Sequence, residues 1–230
     1  MRLLSYSLWG NDAKYGVGAL RNVDLAAEHY PGWRCRFYLA RSVGADLRRR
    51  LAAAPNAELV AVAAAGDWRS LLWRLHAAAD PRVEVVVFRD TDSRPDGRER
   101  AAVEEWLGSG LPIHVMRDHP WHRRPIHGGM WGLRRGALPE LPALLAAWPA
   151  ADRWGDDEDF LARQVYPRVA DRCLVHDEIG DGRPFPVPRR PRHHVGMVLD
   201  EHERPVADHL EALDRALAVS AVPSGKGVPA

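Results

Sequence analysis

Short apolar runs alternate with amphipathic segments along the first half of the chain, and this rhythm predicts alternating strands and helices. Between the runs, apolar residues recur at helical spacing, as Leu71, Leu72 and Leu75 do. The run at 83–88 is almost continuously apolar and β-branched, which is typical of a central parallel strand covered on both faces. The β-α-β-α order predicts an α/β fold with an open, mostly parallel sheet flanked by helices.

The same pattern sets the expected bounds of each element. Strands are predicted over residues 3–8, 35–40, 58–63, 83–88, 113–116 and 172–176. Helices are predicted over residues 15–30, 45–54, 68–79, 96–107, 138–148, 158–166 and 208–219. Residues 117–136 are rich in His, Pro, Gly and Trp, which indicates a functional loop. Residues 180–205 are rich in proline and charge and are expected to run extended along the surface, and the last residues are expected to be disordered.

Composition narrows the class of protein. The chain has 230 residues, 46% of them hydrophobic, and a formal net charge of +1, so no overall field attracts nucleic acid. Cys35 and Cys173 are the only cysteines, which excludes a disulfide framework or a thiolate zinc site and fits a reducing cytoplasm. No run of about 18 apolar residues exists, so we expect no membrane span. The N-terminus turns polar too early for a signal peptide.

Two carboxylates, Asp90 and Asp92, directly follow the most apolar strand, with Thr91 between them. Ligands of open α/β sheets bind beyond the carboxyl ends of the strands. Carboxylates so close together repel unless a divalent cation joins them, and Mg²⁺ or Mn²⁺ also binds diphosphate oxygens. The motif therefore predicts a metal–diphosphate site, flanked by Arg89 and Arg94. The alternative is a solvated acidic turn in which Asp90 caps the next helix.

This motif resembles that of GT-A glycosyltransferases, and an ordered set of further motifs resembles small bacterial glycosyltransferase-like proteins. The set comprises the stretches 88–94, 114–120, 128–132, 157–161 and 195–201. The resemblance implies a GT-A-like (Rossmann-like) catalytic domain over residues 1–205, with a nucleotide-binding half at 1–116 and an acceptor half at 117–205. Residues 206–230 would form a C-terminal helix and tail. It also implies transfer of a sugar from a nucleotide-sugar donor, with UDP preferred, to a carbohydrate or small-molecule acceptor.

Glycogenin-type enzymes are more distantly similar, and that comparison implies roles for further residues. Asp157, Glu158 and Asp159 occupy the place of a donor-sugar motif, and Glu158 departs from it, so retention and inversion both stay open. His193 is implied as the third metal ligand, with His176 as its rival. Donor contacts are implied for the following residues: Ser5, Tyr6, Ser7, Asp67, Arg74, Arg89, Asp90, Thr91, Asp92, Arg94, Gly128, Gly129 and Trp131.

Several of these residues also have a structural interpretation. Tyr6 and Trp131 also fit the core, Asp67 also fits a helix N-cap, and Arg74 also fits a surface ion pair. The nearby histidines at 114, 119, 122 and 127 do not have the spacing of a helical zinc motif or a zinc finger, and Pro120 and Pro125 break any helix there.

Two other functions compete with glycosyl transfer. A haloacid-dehalogenase-like phosphatase also has an Asp-x-Asp after a strand, and its second acidic motif resembles residues 155–159. Against it, Arg94 stands where such enzymes have Thr or Val, and the motif follows the fourth predicted strand rather than the first. A non-catalytic nucleotide-sugar-binding module is the second alternative. A Rossmann dehydrogenase is disfavoured because the glycine pair Gly16 and Gly18 lacks the third glycine.

Overall fold

The protein is described here by a computed structural model of residues 1–180 and 182–220. Its strands are β1 (Arg2–Leu8), β2 (Arg34–Ala40), β3 (Ala57–Val62), β4 (Val85–Phe88), β5 (Ile113–Arg117), β6 (Trp131–Arg134) and β7 (Cys173–Asp177). Its α-helices are α1 (Ala13–His29), α2 (Ala45–Ala52), α3 (Gly97–Ser109), α4 (Leu141–Ala147), α5 (Asp156–Phe160), α6 (Tyr166–Val169) and α7 (Ala207–Ser220). Tighter or wider turns form the 3₁₀ helices Trp68–Ala79 and Ala170–Arg172 and the π turn Leu161–Val165.

All of these strands join one sheet, in the order β3-β2-β1-β4-β6-β5-β7. The pairs β1–β2, β1–β4, β2–β3 and β5–β7 are parallel, and β6 is antiparallel to both β4 and β5. The predicted α/β class with a mostly parallel sheet is confirmed. None of the helices in the described residues combines the length and the apolar character needed to cross a bilayer.

The central strand β4 shows why the sheet is covered on both faces. Val85 and Val87 belong to one buried cluster, which includes residues of α1 and α3, whereas Val86 and Phe88 belong to another, packed around Leu72 of the Trp68–Ala79 helix. Successive side chains of a strand point to opposite faces, so a strand between two helical layers must be apolar throughout.

The structure differs from the sequence prediction mainly after β5. The predicted loop 117–136 contains β6, which the pattern did not reveal because Trp131–Arg134 is only four residues long. The predicted helix 158–166 is replaced by α5, the π turn and α6. The predicted helix 208–219 is present as α7, and the predicted tail at 221–230 lies outside the described residues.

The segment between β7 and α7 returns to the end of β4. Val198 forms an isolated antiparallel bridge with Ser93, and the amide of Leu199 donates to the carbonyl of Asp92 at 2.8 Å. The acidic turn after β4 is therefore held from the C-terminal side, which brings α7 near the same end of the sheet.

Candidate active site

A cavity of about 350 Å³ lies beyond the carboxyl ends of β1 and β4. Ser7 and Leu8 line it at the end of β1, and the turn 90–92 lines it at the end of β4. This is the position at which open α/β sheets bind ligands. The remaining lining residues come from other parts of the chain: Trp9, Lys14, Tyr15, Trp68, Leu71, Arg74, Gly128, Trp154, Gly155, Asp157, Glu158, Val198 and His209.

Helix α1 packs tightly against the acidic turn. A β-carbon at Gly18 would lie 1.8 Å from the carbonyl oxygen of Thr91, so only glycine permits this approach. From the same helix, the side-chain amide of Asn22 donates to the carbonyl oxygen of Asp90 at 3.5 Å. The turn is thus fixed by backbone contacts, which leave its two carboxylates directed to the cavity wall.

Arg74 is the residue that joins the two acidic motifs. Its buried guanidinium forms an ion pair with Asp90 on one side and donates to Asp157 at 2.7 Å on the other. The hydroxyl of Ser5 donates to the carbonyl of Arg74 at 2.8 Å, and the amide of Arg74 donates to Ser7 at 3.0 Å. A planar fork can hold two carboxylates at fixed separation, so Arg74 sets the distance between the motifs.

The carboxylates of the turn differ in their electrostatics. Burial favours the neutral form of the Asp90 carboxyl. The charge and the hydrogen bond of Arg74 outweigh burial, so the pKa of Asp90 is lowered. Burial and the neighbouring Asp90 raise the pKa of Asp92, although the ammonium of Lys14 lies 3.0 Å from it. Repulsion between the two acids is therefore only partly offset. Such a pair has the donor set and the uncompensated charge that suit a hard divalent cation.

The second acidic motif contributes two of its three predicted residues to the cavity. Burial raises the pKa of Asp157 to about 6, against the lowering effect of Arg74. Glu158 accepts a 2.7 Å hydrogen bond from Nδ1 of His127. Asp159 is paired instead with Arg124 at 3.0 Å and with Arg153, and it does not line the cavity.

Gly128 and Gly129 allow the loop before β6 to approach these acids. A β-carbon on Gly128 would lie 2.3 Å from Oδ2 of Asp157, and one on Gly129 would lie 2.0 Å from Oδ2 of Asp90. Both predicted glycines are therefore at the site, where a β-carbon would displace a carboxylate of the acidic motifs. Only Gly128 lines the cavity itself.

No family model matches the chain, and no curated protein matches it either. Solved structures do share its fold. A glycosyltransferase involved in glycosylation of the major capsid of PBCV-1 is 14% identical, with a TM-score of 0.52 over 76% of this chain and 81% of that chain. A mannosyltransferase from Pyrobaculum calidifontis, solved with GDP-Man and Mn²⁺, is 17% identical, with a TM-score of 0.53 over 77% of this chain and 55% of that chain. Glucosyl-3-phosphoglycerate synthase from Mycobacterium tuberculosis, solved with phosphoglyceric acid, is 17% identical, with a TM-score of 0.50 over 83% and 73%.

The fold is the GT-A fold of glycosyltransferases. The chain matches only about half of the mannosyltransferase, 55%, so that protein has regions without a counterpart here. At identities of 14% and 17%, these structures establish the fold and leave the chemistry to the residues of the cavity.

Within this GT-A domain, several residues predicted to contact the donor lie outside the cavity. The ring of Tyr6 is fully buried and stacks on Phe37 with centroids 4.8 Å apart, because a residue in mid-β1 points into the helical layer. Trp131 is fully buried against Phe88 in the opposite layer. Asp67 caps the Trp68–Ala79 helix by accepting from the amide of Arg69 at 2.9 Å. Tyr6 and Trp131 are therefore core residues and Asp67 is a helix N-cap, as in the structural interpretation of each.

The two arginines that flank the acidic turn also point away from the cavity. Arg89 is completely buried and forms a 3.1 Å ion pair with Glu99 of α3. Arg94 pairs with Glu203 at 2.7 Å and donates to the carbonyl of Thr91 at 2.9 Å, so it ties the C-terminal segment to the turn. Neither side chain is placed to contact a ligand in this cavity, whereas Thr91 lines it as predicted.

Neither histidine predicted as the third metal ligand lies at the cavity. His176, on β7, is buried between Nε2 of His114 at 2.8 Å and Glu105 at 3.3 Å. His193 pairs with Asp96 at 3.2 Å in a separate groove. The cavity wall instead contains His209 of α7. No local sequence pattern predicts this position, because α7 reaches the cavity only through the return of the chain after β7.

Sequence reasoning also missed Lys14 and the aromatic wall of the cavity, which is formed by Trp9, Trp68 and Trp154. Trp9 and Trp68 meet edge to face with centroids 6.1 Å apart, and Trp154 is 73% exposed at the rim. The one signal available for Lys14 was its rarity in an arginine-rich chain whose only other lysine is Lys226. An exposed tryptophan beside a polar cavity offers an apolar surface on which planar rings stack.

Proposed function

We propose that the chain is a metal-dependent glycosyltransferase that moves a sugar from a nucleotide-sugar donor, first of all a UDP-sugar, to an acceptor hydroxyl. The observation that carries the proposal is the convergence of Asp90, Asp92 and Asp157 on one cavity at the strand ends, with Asp90 and Asp157 bridged by buried Arg74. The GT-A fold supports it, since the Pyrobaculum calidifontis relative was solved with GDP-Man and Mn²⁺.

Asp90 and Asp92 fit a divalent cation by donor type and by their partly offset repulsion. We propose that they hold Mn²⁺ or Mg²⁺, which when bound supplies Lewis-acid neutralisation of the diphosphate leaving group. Lys14 lies 3.0 Å from Asp92 and provides a further positive charge at the cavity. Its ammonium would also pair with the phosphate oxygens of a donor bound in the cavity.

Asp157 and Glu158 are proposed to act on the sugar and on the acceptor. A pKa of about 6 keeps Asp157 ionised at neutral pH and suits a group that accepts a proton from a hydroxyl. Glu158, held by His127 at 2.7 Å, is proposed to orient the acceptor or the donor sugar. Asp159 is proposed only to support the loop, through Arg124 at 3.0 Å.

The aromatic wall is proposed to receive the nucleotide base or a sugar ring. Leu8, Leu71, Trp9 and Trp68 line one part of the cavity with apolar surface, and Trp154 lies at its rim. Flat rings stack on such surfaces without hydrogen-bond specificity, so this wall contributes affinity rather than choice of base.

Calorimetric titration of UDP and GDP, each with Mn²⁺ and then with EDTA, tests the proposal. We expect micromolar binding of one nucleotide that is lost with EDTA, and the preferred base then selects the donor sugars for a hydrolysis assay. Release of sugar from that donor distinguishes an enzyme from a binding module. A folded protein that binds neither nucleotide contradicts the proposal.

The phosphatase alternative receives no support from the geometry. Asp156, the first acid of its second motif, is buried and accepts from the indole of Trp148 at 2.9 Å and the amide of Ala151 at 3.2 Å. That carboxylate is therefore turned away from the cavity. Release of phosphate from a phosphoester, with no sugar donor present, would restore the alternative.

A further inference from the structure

Three histidines from distant parts of the chain meet beside the donor cavity. They are His119, two residues after β5, His194, in the segment before α7, and His209, in the first turn of α7. One ring nitrogen from each lies within 4.8 Å of one from each of the others. The ring centroids of His119 and His194 are 4.5 Å apart, and those of His119 and His209 are 5.4 Å apart.

The hydrogen bonds of His194 leave one nitrogen without a partner. Its Nδ1 lies 3.1 Å from the carbonyl oxygen of Val195, which can only accept, so Nδ1 carries the proton. In the neutral ring, Nε2 then has a free lone pair. Nε2 is buried and has no hydrogen-bond partner among the residues that the structure describes, and the side chain is only 1% exposed. A buried acceptor left in this state is costly unless a ligand occupies it.

His119 and His209 complete the group. Nε2 of His119 donates to the carbonyl oxygen of His209 at 2.8 Å, and its Nδ1 accepts a longer 3.2 Å bond from the amide of Trp121. To bind a metal, His119 would give up one of these hydrogen bonds so that its nitrogen can face the ion. The other hydrogen bond would continue to orient the ring, as commonly occurs for histidines that bind metals. His209 is partly exposed and faces the donor cavity, so it leaves an open position on that side.

We propose that His119, His194 and His209 form a binding site for a divalent transition-metal ion that prefers imidazole, with Zn²⁺ as the reference ion. Three imidazoles with an open fourth position are a common zinc ligand set. Tetrahedral Zn–N bonds place ligand atoms about 3.4 Å apart, so a small inward movement of the rings suffices. Mg²⁺ and Mn²⁺ prefer the oxygen ligands of Asp90 and Asp92, so the chemistry of the two donor sets separates the sites.

Occupation of this site would connect three segments that the sequence keeps apart. The loop after β5, the segment at 193–198 and α7 would be fixed to one another at the edge of the donor cavity. The proposal does not depend on glycosyl transfer, because it follows from the three imidazoles alone. Its expected consequence is a metal-dependent gain in thermal stability.

The test uses the full chain without an affinity tag, stripped of metal with a chelator that is then removed. Zn²⁺ is titrated by calorimetry in excess Mg²⁺, and Co²⁺ is followed by its visible absorption. We expect one Zn²⁺ per chain and an intense tetrahedral Co²⁺ spectrum, with a rise in Tm of about 5 °C or more at Zn²⁺ concentrations well above Kd. His194→Ala should weaken Zn²⁺ binding by about 100-fold or more.

His193→Ala is the matched control, because the neighbouring imidazole pairs with Asp96 and lies outside the group. It should bind Zn²⁺ as the unchanged protein does. His209→Ala, on the partly exposed face of α7, repeats the test should His194→Ala fail to fold. Absence of Zn²⁺ binding by the unchanged protein overturns the proposal. So does binding that survives His194→Ala and His209→Ala but is lost in Asp92→Asn, since the ion would then lie at the carboxylates.

Discussion

Two buried arginines, one in the Trp68–Ala79 helix and one directly after β4, serve opposite purposes. Arg74 is 2% exposed and joins Asp90 to Asp157, whose carboxylates still reach the cavity, and we call these three the cavity cluster. Arg89 is 0% exposed and is enclosed with Glu99 and Tyr30, which form the core cluster. Each cluster is built around a buried arginine, and the difference is whether the acids keep a side open to a ligand.

The core cluster is closed because its two charged groups, Arg89 and Glu99, pair with each other in the interior. Glu99 accepts from the hydroxyl of Tyr30 at 3.0 Å and pairs with Arg89 at 3.1 Å. Arg89 also donates to the carbonyl of Gly129 at 2.9 Å, so it connects α3 with the glycine loop of the cavity. Burial nevertheless raises the pKa of Glu99 to about 7, against the lowering effect of Arg89. A buried pair of this kind positions the chain more than it stabilises it.

The largest expected effect is on stability and comes from the core cluster. Arg89→Met leaves Glu99 buried without its partner, so the free energy of unfolding should fall by about 3–5 kcal/mol. Urea denaturation followed by circular dichroism measures it. Adding Glu99→Gln removes the isolated charge and should recover part of the loss. An unchanged midpoint in Arg89→Met would show that the pair contributes nothing.

The next effect is on binding and comes from the acidic turn. Asp92→Asn should weaken Mn²⁺-dependent nucleotide binding by about 100-fold or more, because one of the two metal-binding carboxylates is lost. Stability should change by no more than about 1 kcal/mol, since the neutral amide relieves repulsion with Asp90. Calorimetry measures the binding, and Asp24→Asn, at an exposed surface acid, is the control. Full activity of Asp92→Asn would refute the metal assignment.

A smaller effect should come from Arg74→Lys. Lysine keeps the charge but cannot hold both carboxylates, so the separation of Asp90 and Asp157 is no longer fixed. We expect kcat/KM to fall by about 10-fold, with a larger effect on kcat than on nucleotide affinity. Steady-state kinetics on a folded variant checks this, and an equal loss in Arg69→Lys, at the exposed pair with Asp67, would argue against a specific role.

The smallest expected effect near neutral pH is the one that protonation of Asp157 has on kcat/KM. Asp157 acts as a base only when ionised, and its pKa of about 6 means that the active form is lost as pH falls through 6. With saturating Mn²⁺, kcat/KM should be flat above neutral pH and decline about tenfold per unit below 6. Asp157→Asn should remove this limb together with most of the activity. An unchanged acid limb in that variant would assign the titration to another group.

Much of the fold and the centre of the candidate site could be predicted because their signals are local. Consecutive apolar residues predict the strand β4. The acids that directly follow this buried parallel strand lie at the carboxyl end of the sheet, where ligands bind. Elements with short or irregular geometry gave no such signal. Strand β6 is four residues long, and the π turn Leu161–Val165 interrupts what the periodicity predicts as one helix.

By itself, then, the sequence determined the α/β class, the central strand and the pair Asp90 and Asp92, since these depend on residue type and period. Only the tertiary structure decided which arginine faces the acids, because Arg74 and Arg89 are equally charged and differ only in which layer encloses them. It also decided that His209, which is far from Asp92 in the sequence, lines the same cavity. Contacts between distant segments arise from packing of the whole chain, and no local pattern records them.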